Sequence, residues 1–279
     1  MKSMSLLLVM ISLSLVKLYG QMTTSDLMQT LESDELDYKT VLEIIKKNTA
    51  LEHSIDDQIL FINRCTRSAI KNTSYKEEYY EIKASNRGEK ILRILSVNND
   101  LIRMHITDRK RSKEYEFVND KLYEKYKNDF EKSYCKVNNF SIFESDTLYR
   151  VGFLCGDGGT SNYKFDELFS LMLKRDKKTI IEWCQSSSPE LRCYGAIGLR
   201  TLQKIKVELS KIEKELIDQI SLDETIINIC HGCTNWGFNS TIKEQYEFGN
   251  SYVDEFIKHI KRPRKYKKIK RRYLRRISK

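Results

Sequence analysis

SPELRCYGAIGLRTL, residues 188–202, is the stretch that decides how the second half of this chain folds. A serine at the N-cap, a proline at the first helical position and a glutamate in the first turn are strong signals for a helix start. The apolar face of that helix then carries Leu191, Tyr194, Leu199 and Leu202. Gly195 and Gly198 lie on the same face, although glycine weakens a helix by about 1 kcal/mol relative to alanine. We therefore expect another element to pack closely against the backbone of this helix.

Helical patterns continue on both sides of this stretch. Apolar side chains follow the i, i+3, i+4, i+7 rule over residues 165–172, and a shorter apolar stripe covers 180–184. Downstream, Ser210 and Glu213 form a capping box that opens a fourth helix, whose predicted apolar stripe is Ile212, Leu216 and Ile220. The preceding turn, GDGG at 156–159, lacks the Lys-Ser or Lys-Thr of a phosphate-binding loop, so we interpret it as a strand-to-helix turn. The sequence predicts a helical subdomain over residues 157–257.

The first half of the chain has a different pattern of apolar and polar residues. Residues 24–50 and 55–67 have apolar side chains at roughly helical spacing, which predicts two helices. Short alternating runs rich in tyrosine, isoleucine and valine then fill residues 78–118, with polar turns between them, and predict an antiparallel meander. Residues 140–143 and 148–155 are candidate strands of the same sheet. The fold class is therefore α+β: N-terminal helices and a central meander over 21–156, followed by the helical subdomain.

The first twenty residues have the layout of a secretory signal peptide. A short basic start precedes an apolar run over residues 4–16, and the chain then reaches Gly20, after which we place the cleavage. The run is shorter than the roughly 20 residues that a membrane-spanning helix needs. An uncleaved anchor is the alternative. We expect a periplasmic or secreted protein.

Seven cysteines lie beyond this segment, and cysteines usually pair in an oxidising compartment. Because seven is odd, at most three disulfides form and one thiol remains. The sequence leaves the connectivity open, and local pairs are the simplest hypothesis. These disulfide candidates are Cys135 with Cys155, Cys184 with Cys193, and Cys230 with Cys233.

Cys230-His231-Gly232-Cys233 is the sharpest local motif, and several kinds of site are compatible with its spacing. A structural disulfide is the interpretation we favour. The alternative catalytic pair for thiol–disulfide exchange is also Cys230 and Cys233, but no helix begins at the first cysteine as in such sites. A zinc site would need two more ligands, for which Cys184 and Cys193 are poorly spaced, and the export prediction favours oxidation over metal binding. We therefore predict no metal and no cofactor.

The basic charge of the chain is concentrated at its C-terminus. Residues 258–279 hold thirteen Lys or Arg and no Asp or Glu, whereas the whole chain carries +10. Tyrosine and isoleucine recur every three or four residues among these charges, which is typical of a segment that lies on an anionic membrane. Nucleic-acid binding and a solvated tail without a partner are the alternatives. The surface-binding candidates are Lys265, Lys267, Lys268, Arg271, Arg272, Arg275 and Arg276.

One family resemblance accompanies these patterns. Residues 188–192, followed by Ala196 and Leu199, resemble the first helix of a HEAT-type repeat. The run from Phe165 to Cys233 is similar to uncharacterised exported proteins of Bacteroidota. This resemblance covers about a quarter of the chain. It implies a stacked-helix subdomain and brings no activity with it.

Two classes of function follow as hypotheses. The sequence has no G-x-S-x-G elbow and no H-E-x-x-H motif, and its four histidines have no partner at ligand spacing. We therefore favour a non-enzymatic exported binding or scaffold protein whose basic tail docks to an anionic envelope surface. A protein partner is compatible with this hypothesis, and nucleic acid is disfavoured by export. The alternative is a thiol–disulfide oxidoreductase that uses the CHGC motif.

Overall fold

A computed structural model describes residues 38–49, 59–84, 88–108, 114–134, 136–139, 149–152, 163–231 and 235–261. Helices and antiparallel strands both occur, which confirms the α+β class. The elements are α1 (Tyr38–Thr49), β1 (Ile59–Ser68), β2 (Tyr75–Ala84), β3 (Gly88–Val97), β4 (Asp100–Asp108), β5 (Glu114–Val118), α2 (Asp120–Ser133), α3 (Tyr163–Lys174), α4 (Lys177–Cys184), α5 (Pro189–Lys204), α6 (Lys211–Ser221), β6 (Ile226–His231), β7 (Asn235–Thr241) and α7 (Ile242–Lys261). The chain divides into two compact units, 1–68 with 74–125, and 69–73 with 126–279.

The described strands of the first unit form a five-stranded antiparallel meander in the order β1-β2-β3-β4-β5. The hairpin between β3 and β4 turns through Asn98 and Asn99, which both have positive φ angles as tight hairpin turns require. Central alternate residues of β3 and β4 form an apolar face on which no residue is more than 1% exposed. Its central residues are Leu92, Ile94, Met104 and Ile106. The predicted meander is therefore confirmed.

The predicted helix over 55–67 is wrong where the structure describes it. Residues 59–68 form β1 instead, and Arg67 and Ser68 pair in register with Glu77 and Lys76 of β2. A short apolar run fits the helical and the strand period almost equally well, so the long-range pairing with β2 decides the outcome. The helix predicted over 24–50 is confirmed for α1, whereas residues 24–37 lie outside the described residues.

Helix α5 is the central element of the second unit. Ser188 caps it as predicted, and every residue from Pro189 to Leu199 is buried. A Cβ atom built on Gly195 would lie 2.6 Å from the Sγ atom and 2.7 Å from the backbone nitrogen of Cys184. One built on Gly198 would lie 2.8 Å from a methyl group of Leu168 in α3. The close packing predicted from the two glycines is confirmed.

The other predicted helices of this region are also present, with one change of detail. Ser210 and Glu213 form the capping box of α6. Ile212 was expected in the apolar stripe of this helix, but its side chain is 71% exposed. Leu216, Ile217 and Ile220 form the buried stripe instead.

The α3–α4 and α5–α6 connections lie at one end of the second unit, which we call the turn end and define as residues 174–178 and 204–215. The Nζ atom of Lys177 joins them, since it lies 3.1 Å from a carboxylate oxygen of Glu213 and 3.4 Å from the carbonyl oxygen of Glu208. Helix α7 starts at the other end, where the backbone N–H of Lys243 donates to the carbonyl of Asp223. It runs beside α5 toward the turn end, where Asp254 pairs with Lys204 at 3.2 Å.

A β-hairpin interrupts the helical subdomain that the sequence predicts over 157–257. Strands β6 and β7 pair antiparallel, and Val151 pairs with Ile229 of β6 in parallel. Residues 148–155 were expected to extend the meander, and their described part, 149–152, joins this second sheet instead. Residues 140–143 lie outside the described residues.

Candidate functional site

A cluster of buried polar groups in the described part of the second unit surrounds Arg192, one turn into α5. Its side chain has no exposed surface, and one guanidinium nitrogen donates to the carbonyl oxygens of Ser186 and Ser187, both at 3.0 Å. The other terminal nitrogen lies 3.6 Å from a carboxylate oxygen of Asp223 and 3.5 Å from the hydroxyl oxygen of Tyr134. Because side chains on a helix lean toward its N-terminus, Arg192 reaches the loop that precedes its own helix.

Asp223 is the anion of this cluster. It accepts hydrogen bonds from the hydroxyl groups of Tyr134 at 3.0 Å and Thr225 at 2.6 Å, and from the backbone N–H of Thr225 at 2.9 Å. Burial alone would raise the pKa of Asp223, but the charge of Arg192 and these hydrogen bonds outweigh it and hold the pKa below its usual value. The carboxyl group is therefore ionised and fully bonded.

Two further polar side chains of α5 hold the neighbouring sheet. The Glu190 carboxylate accepts from the backbone N–H of Asn228 at 2.9 Å and from the hydroxyl of Ser188 at 3.0 Å. The Tyr194 hydroxyl accepts from the backbone N–H of Gly152 at 2.9 Å and lies 3.0 Å from the carbonyl oxygen of Arg150. Burial raises the pKa of Tyr194, which stays protonated. The network thus fixes residues 149–152 and β6 against α5.

This network has the properties of a structural core. Its ionisable side chains are at most 9% exposed, so substrate and solvent do not reach the protons. Within the described ranges, no group of three or more His, Cys, Asp or Glu side chains has metal-binding geometry. Glu190 is interpretable from the sequence as a helix-start signal, and the network around Arg192 was not predicted. The available signal was the charged pair Glu190 and Arg192 inside an otherwise buried helix.

A second charged cluster lies on the polar face of the meander. The Glu77 carboxylate accepts from the Nε atom of Arg67 at 2.7 Å and also from Arg93, and Arg67 donates to the hydroxyl of Tyr79 at 2.8 Å. Burial alone would raise the pKa of Glu77, but the two guanidinium groups lower it to about 2. Cross-strand register creates this cluster, because Arg67 lies opposite Glu77 and Tyr79 lies opposite Arg93.

The cysteine predictions are partly overturned. Cys184 and Cys193 are buried thiols outside any disulfide, so the predicted bridge between them is wrong. The Cys184 sulfur lies against Gly195, and a residue two positions away on a helix points to nearly the opposite side. Cys193 therefore faces away from it. Burial first, and then the charges of Glu190 and Asp223, raise the pKa of the Cys193 thiol and keep it unreactive.

Cys230 takes part in a disulfide, and its partner lies outside the described residues. It occupies β6, where its side chain is 2% exposed and its backbone N–H donates to the carbonyl of Val151 at 2.9 Å. A sulfur in a disulfide is not a thiolate ligand, so the zinc alternative loses this residue. Cys135, Cys155 and Cys233 lie outside the described residues, and their pairing stays a prediction. Cys65 is a further buried thiol.

The remaining candidates fall on parts of the chain that the structure does not describe. These parts include the signal-peptide segment, the GDGG turn and the seven surface-binding side chains of the tail. Helix α7 covers the first predicted tail residues, since it ends at Lys261. None of the helices in the described ranges combines the length and the apolar character that crossing a bilayer requires.

No family model, curated protein or solved structure matches this chain. The resemblance to exported Bacteroidota proteins and to HEAT-type repeats therefore stays a prediction.

Proposed function

We propose that this chain is an exported, non-enzymatic binding protein that docks to an anionic envelope surface through its basic C-terminal segment. The observation that carries the proposal is the separation of charge along the chain. Residues 258–279 contribute thirteen positive charges to a total of +10, so the other 257 residues together carry −3. A basic segment on a mildly acidic body is attracted to anionic lipid without drawing the whole surface onto it.

The size of the attraction is sufficient for docking. Each Lys or Arg close to an anionic leaflet contributes about 1 kcal/mol, and the effect decreases within a Debye length. Seven such side chains, at the positions predicted for surface binding, contribute about 7 kcal/mol when all of them contact lipid, which corresponds to a dissociation constant of about 10 μM. The interleaved tyrosines add apolar contact at the interface.

Export is supported by two independent features. The first twenty residues have the layout of a signal peptide, and Cys230 is in a disulfide, a bond that persists mainly in oxidising compartments. The three buried thiols are compatible with such a compartment, because Cys184 and Cys193 have no exposed surface that an oxidant could reach.

The proposal is tested by vesicle binding of the full chain. The seven predicted contact residues of the tail, from Lys265 to Arg276, are all substituted by Gln, which keeps chain length constant. We expect the unchanged protein to sediment with phosphatidylglycerol vesicles at low salt, and the neutralised protein to remain in the supernatant. Neutral phosphatidylcholine vesicles serve as the control. Equal binding of both proteins to anionic vesicles would refute tail docking.

A thiol–disulfide oxidoreductase is the second candidate, because Cys230 forms a disulfide and belongs to a C-x-x-C motif. Its burial within a strand favours a structural bridge, since exchange requires attack on an accessible sulfur. Insulin reduction by the native protein separates the two. Activity that disappears in Cys230→Ser would establish the enzyme, and absence of activity together with resistance to mild reductant would establish a structural bridge.

A further inference from the structure

The turn end of the second unit carries several basic side chains that form no ion pair with any of the described residues. Its two connections contain eight Lys or Arg and four Asp or Glu. Lys177 pairs with Glu213, Lys204 with Asp254 and Lys211 with Glu215. The other five basic side chains are exposed, and none of the described residues forms an ion pair with them. They are Lys174, Arg175, Lys178, Lys206 and Lys214.

Helix electrostatics accounts for only part of this pattern. Lys174 and Lys204 end α3 and α5, where the negative end of the helix dipole favours a cation. Lys178 and Lys211 instead lie in the first turns of α4 and α6, where the dipole favours an acid. Residues that oppose local stability in this way often serve a function outside the fold.

An exposed apolar side chain lies among these charges. Ile212 is 71% exposed in the first turn of α6, between Lys211 and the basic side chain of Lys214. Basic residues around an exposed aliphatic side chain are the composition of surfaces that enter the headgroup region of a bilayer. A surface for single-stranded nucleic acid would instead use exposed aromatic rings for stacking on bases, and the described residues of the turn end contain no Phe, Tyr or Trp.

Helix α7 runs to this same end and continues beyond it. Asp254 contacts Lys204 at the turn end, and α7 continues for seven residues to Lys261. At 1.5 Å per residue this adds about 10 Å in the same direction. We infer that the turn end is a binding surface for an anionic phospholipid bilayer, in addition to the tail whose docking is proposed above. This inference rests on the proposed docking of the tail.

The test compares two triple variants of the full chain. The first, Lys174→Gln, Lys178→Gln and Lys214→Gln, neutralises the turn end and leaves both residues with positive φ, Arg175 and Lys206, unchanged. The matched control, Lys132→Gln, Lys136→Gln and Lys243→Gln, removes the same charge near the opposite end, where α7 begins. We expect at least tenfold weaker binding to phosphatidylglycerol vesicles for the first variant, and less than twofold for the control.

A second measurement keeps the inference testable if a variant folds poorly. Amide hydrogen exchange of the unchanged protein should slow at residues 174–178 and 204–215 when vesicles are added. Residues around Asp223 should exchange at the same rate with and without vesicles. The thermal midpoint of the turn-end variant should be nearly unchanged, because the loss of the favourable Lys174 charge at the end of α3 offsets the loss of the unfavourable Lys178 charge at the start of α4. Lower vesicle binding with an unchanged midpoint excludes misfolding as the cause.

The outcomes distinguish this inference from the function on which it rests. Loss of binding in the tail variant, with unchanged binding in the turn-end triple, refutes the turn end and retains tail docking. Loss in the turn-end triple alone retains the turn end and refutes the tail. An equal loss of vesicle binding in the turn-end variant and in the matched control would show that the charges act without a localised surface, and would refute the inference. Preserved vesicle binding with weakened binding to single-stranded DNA would show that the turn end contacts nucleic acid, and would also refute the inference.

Discussion

Arg192 shows at the residue scale how one side chain holds several backbone segments together. It bonds the loop before its own helix and contacts Asp223 and Tyr134, and its guanidinium group lies 4.5 Å from the centre of the Tyr134 ring. A buried ion pair of this kind contributes little net free energy relative to an apolar pair, but removal of one partner is costly. We therefore expect that removal of any one charged side chain of this network destabilises the fold.

Substitution Arg192→Met tests this consequence. Asp223 would remain buried without its cation, so the free energy of unfolding should fall by about 3–5 kcal/mol. Urea denaturation monitored by Trp fluorescence measures the loss. The double variant Arg192→Met, Asp223→Leu removes both charges and should be more stable than the single variant. A double variant that is less stable than the single one would contradict this account of the pair.

Glu77 makes a second residue-scale prediction, about pH. Its pKa is about 2 in the folded protein and 4.5 in the reference state, so the unfolded chain binds the proton more tightly. The stabilisation is therefore present above pH 4.5 and is lost as the pH falls toward 2, by up to about 3 kcal/mol. The Glu77→Gln variant should be less stable at pH 7. Its urea unfolding midpoint should fall less than that of the unchanged protein between pH 5 and pH 3. An unchanged slope would refute the coupling to Arg67 and Arg93.

At the element scale, the sequence predicts elements well where local signals and packing agree. The cap at Ser188, the capping box at Ser210 and the two glycines of α5 all have local signatures, and the structure confirms each of them. Residues 59–68 lack such a signature, and their partner β2 supplies the deciding hydrogen bonds. The partners of Arg192 in the buried network could not be predicted for a related reason, since Tyr134 and Asp223 are 89 positions apart.

The glycines of α5 give an element-scale prediction. Gly195→Ala should destabilise the protein by about 1–3 kcal/mol despite the higher helix propensity of alanine, because the new methyl group meets the backbone of Cys184 at 2.7 Å. Gly198→Ala is the matched comparison. Its methyl group meets only side-chain atoms of Leu168 and Ile180, which adjust more readily than the backbone of Cys184, so its cost should be smaller. Thermal melts rank the two, and the reverse order would refute the packing described for the α4–α5 contact.

At the scale of the whole molecule, the cysteines connect the fold with the proposed compartment. Three cysteines, Cys65, Cys184 and Cys193, are buried thiols, whereas Cys230 is in a disulfide. A disulfide persists mainly in an oxidising compartment, so the bridge at Cys230 is what the proposed export predicts.

Differential alkylation followed by mass spectrometry tests this distribution. In the native protein an alkylating agent should label none of the three buried thiols, since burial raises the pKa of Cys193 and shields the others. Denaturation without reductant should expose all three to labelling, and Cys230 should react only after reduction. The same spectra give the N-terminus, expected at Gln21. A native chain that begins at Met1 with Cys230 reduced would remove the basis for export, and with it the reason to prefer an envelope membrane over nucleic acid as the target of the basic surface.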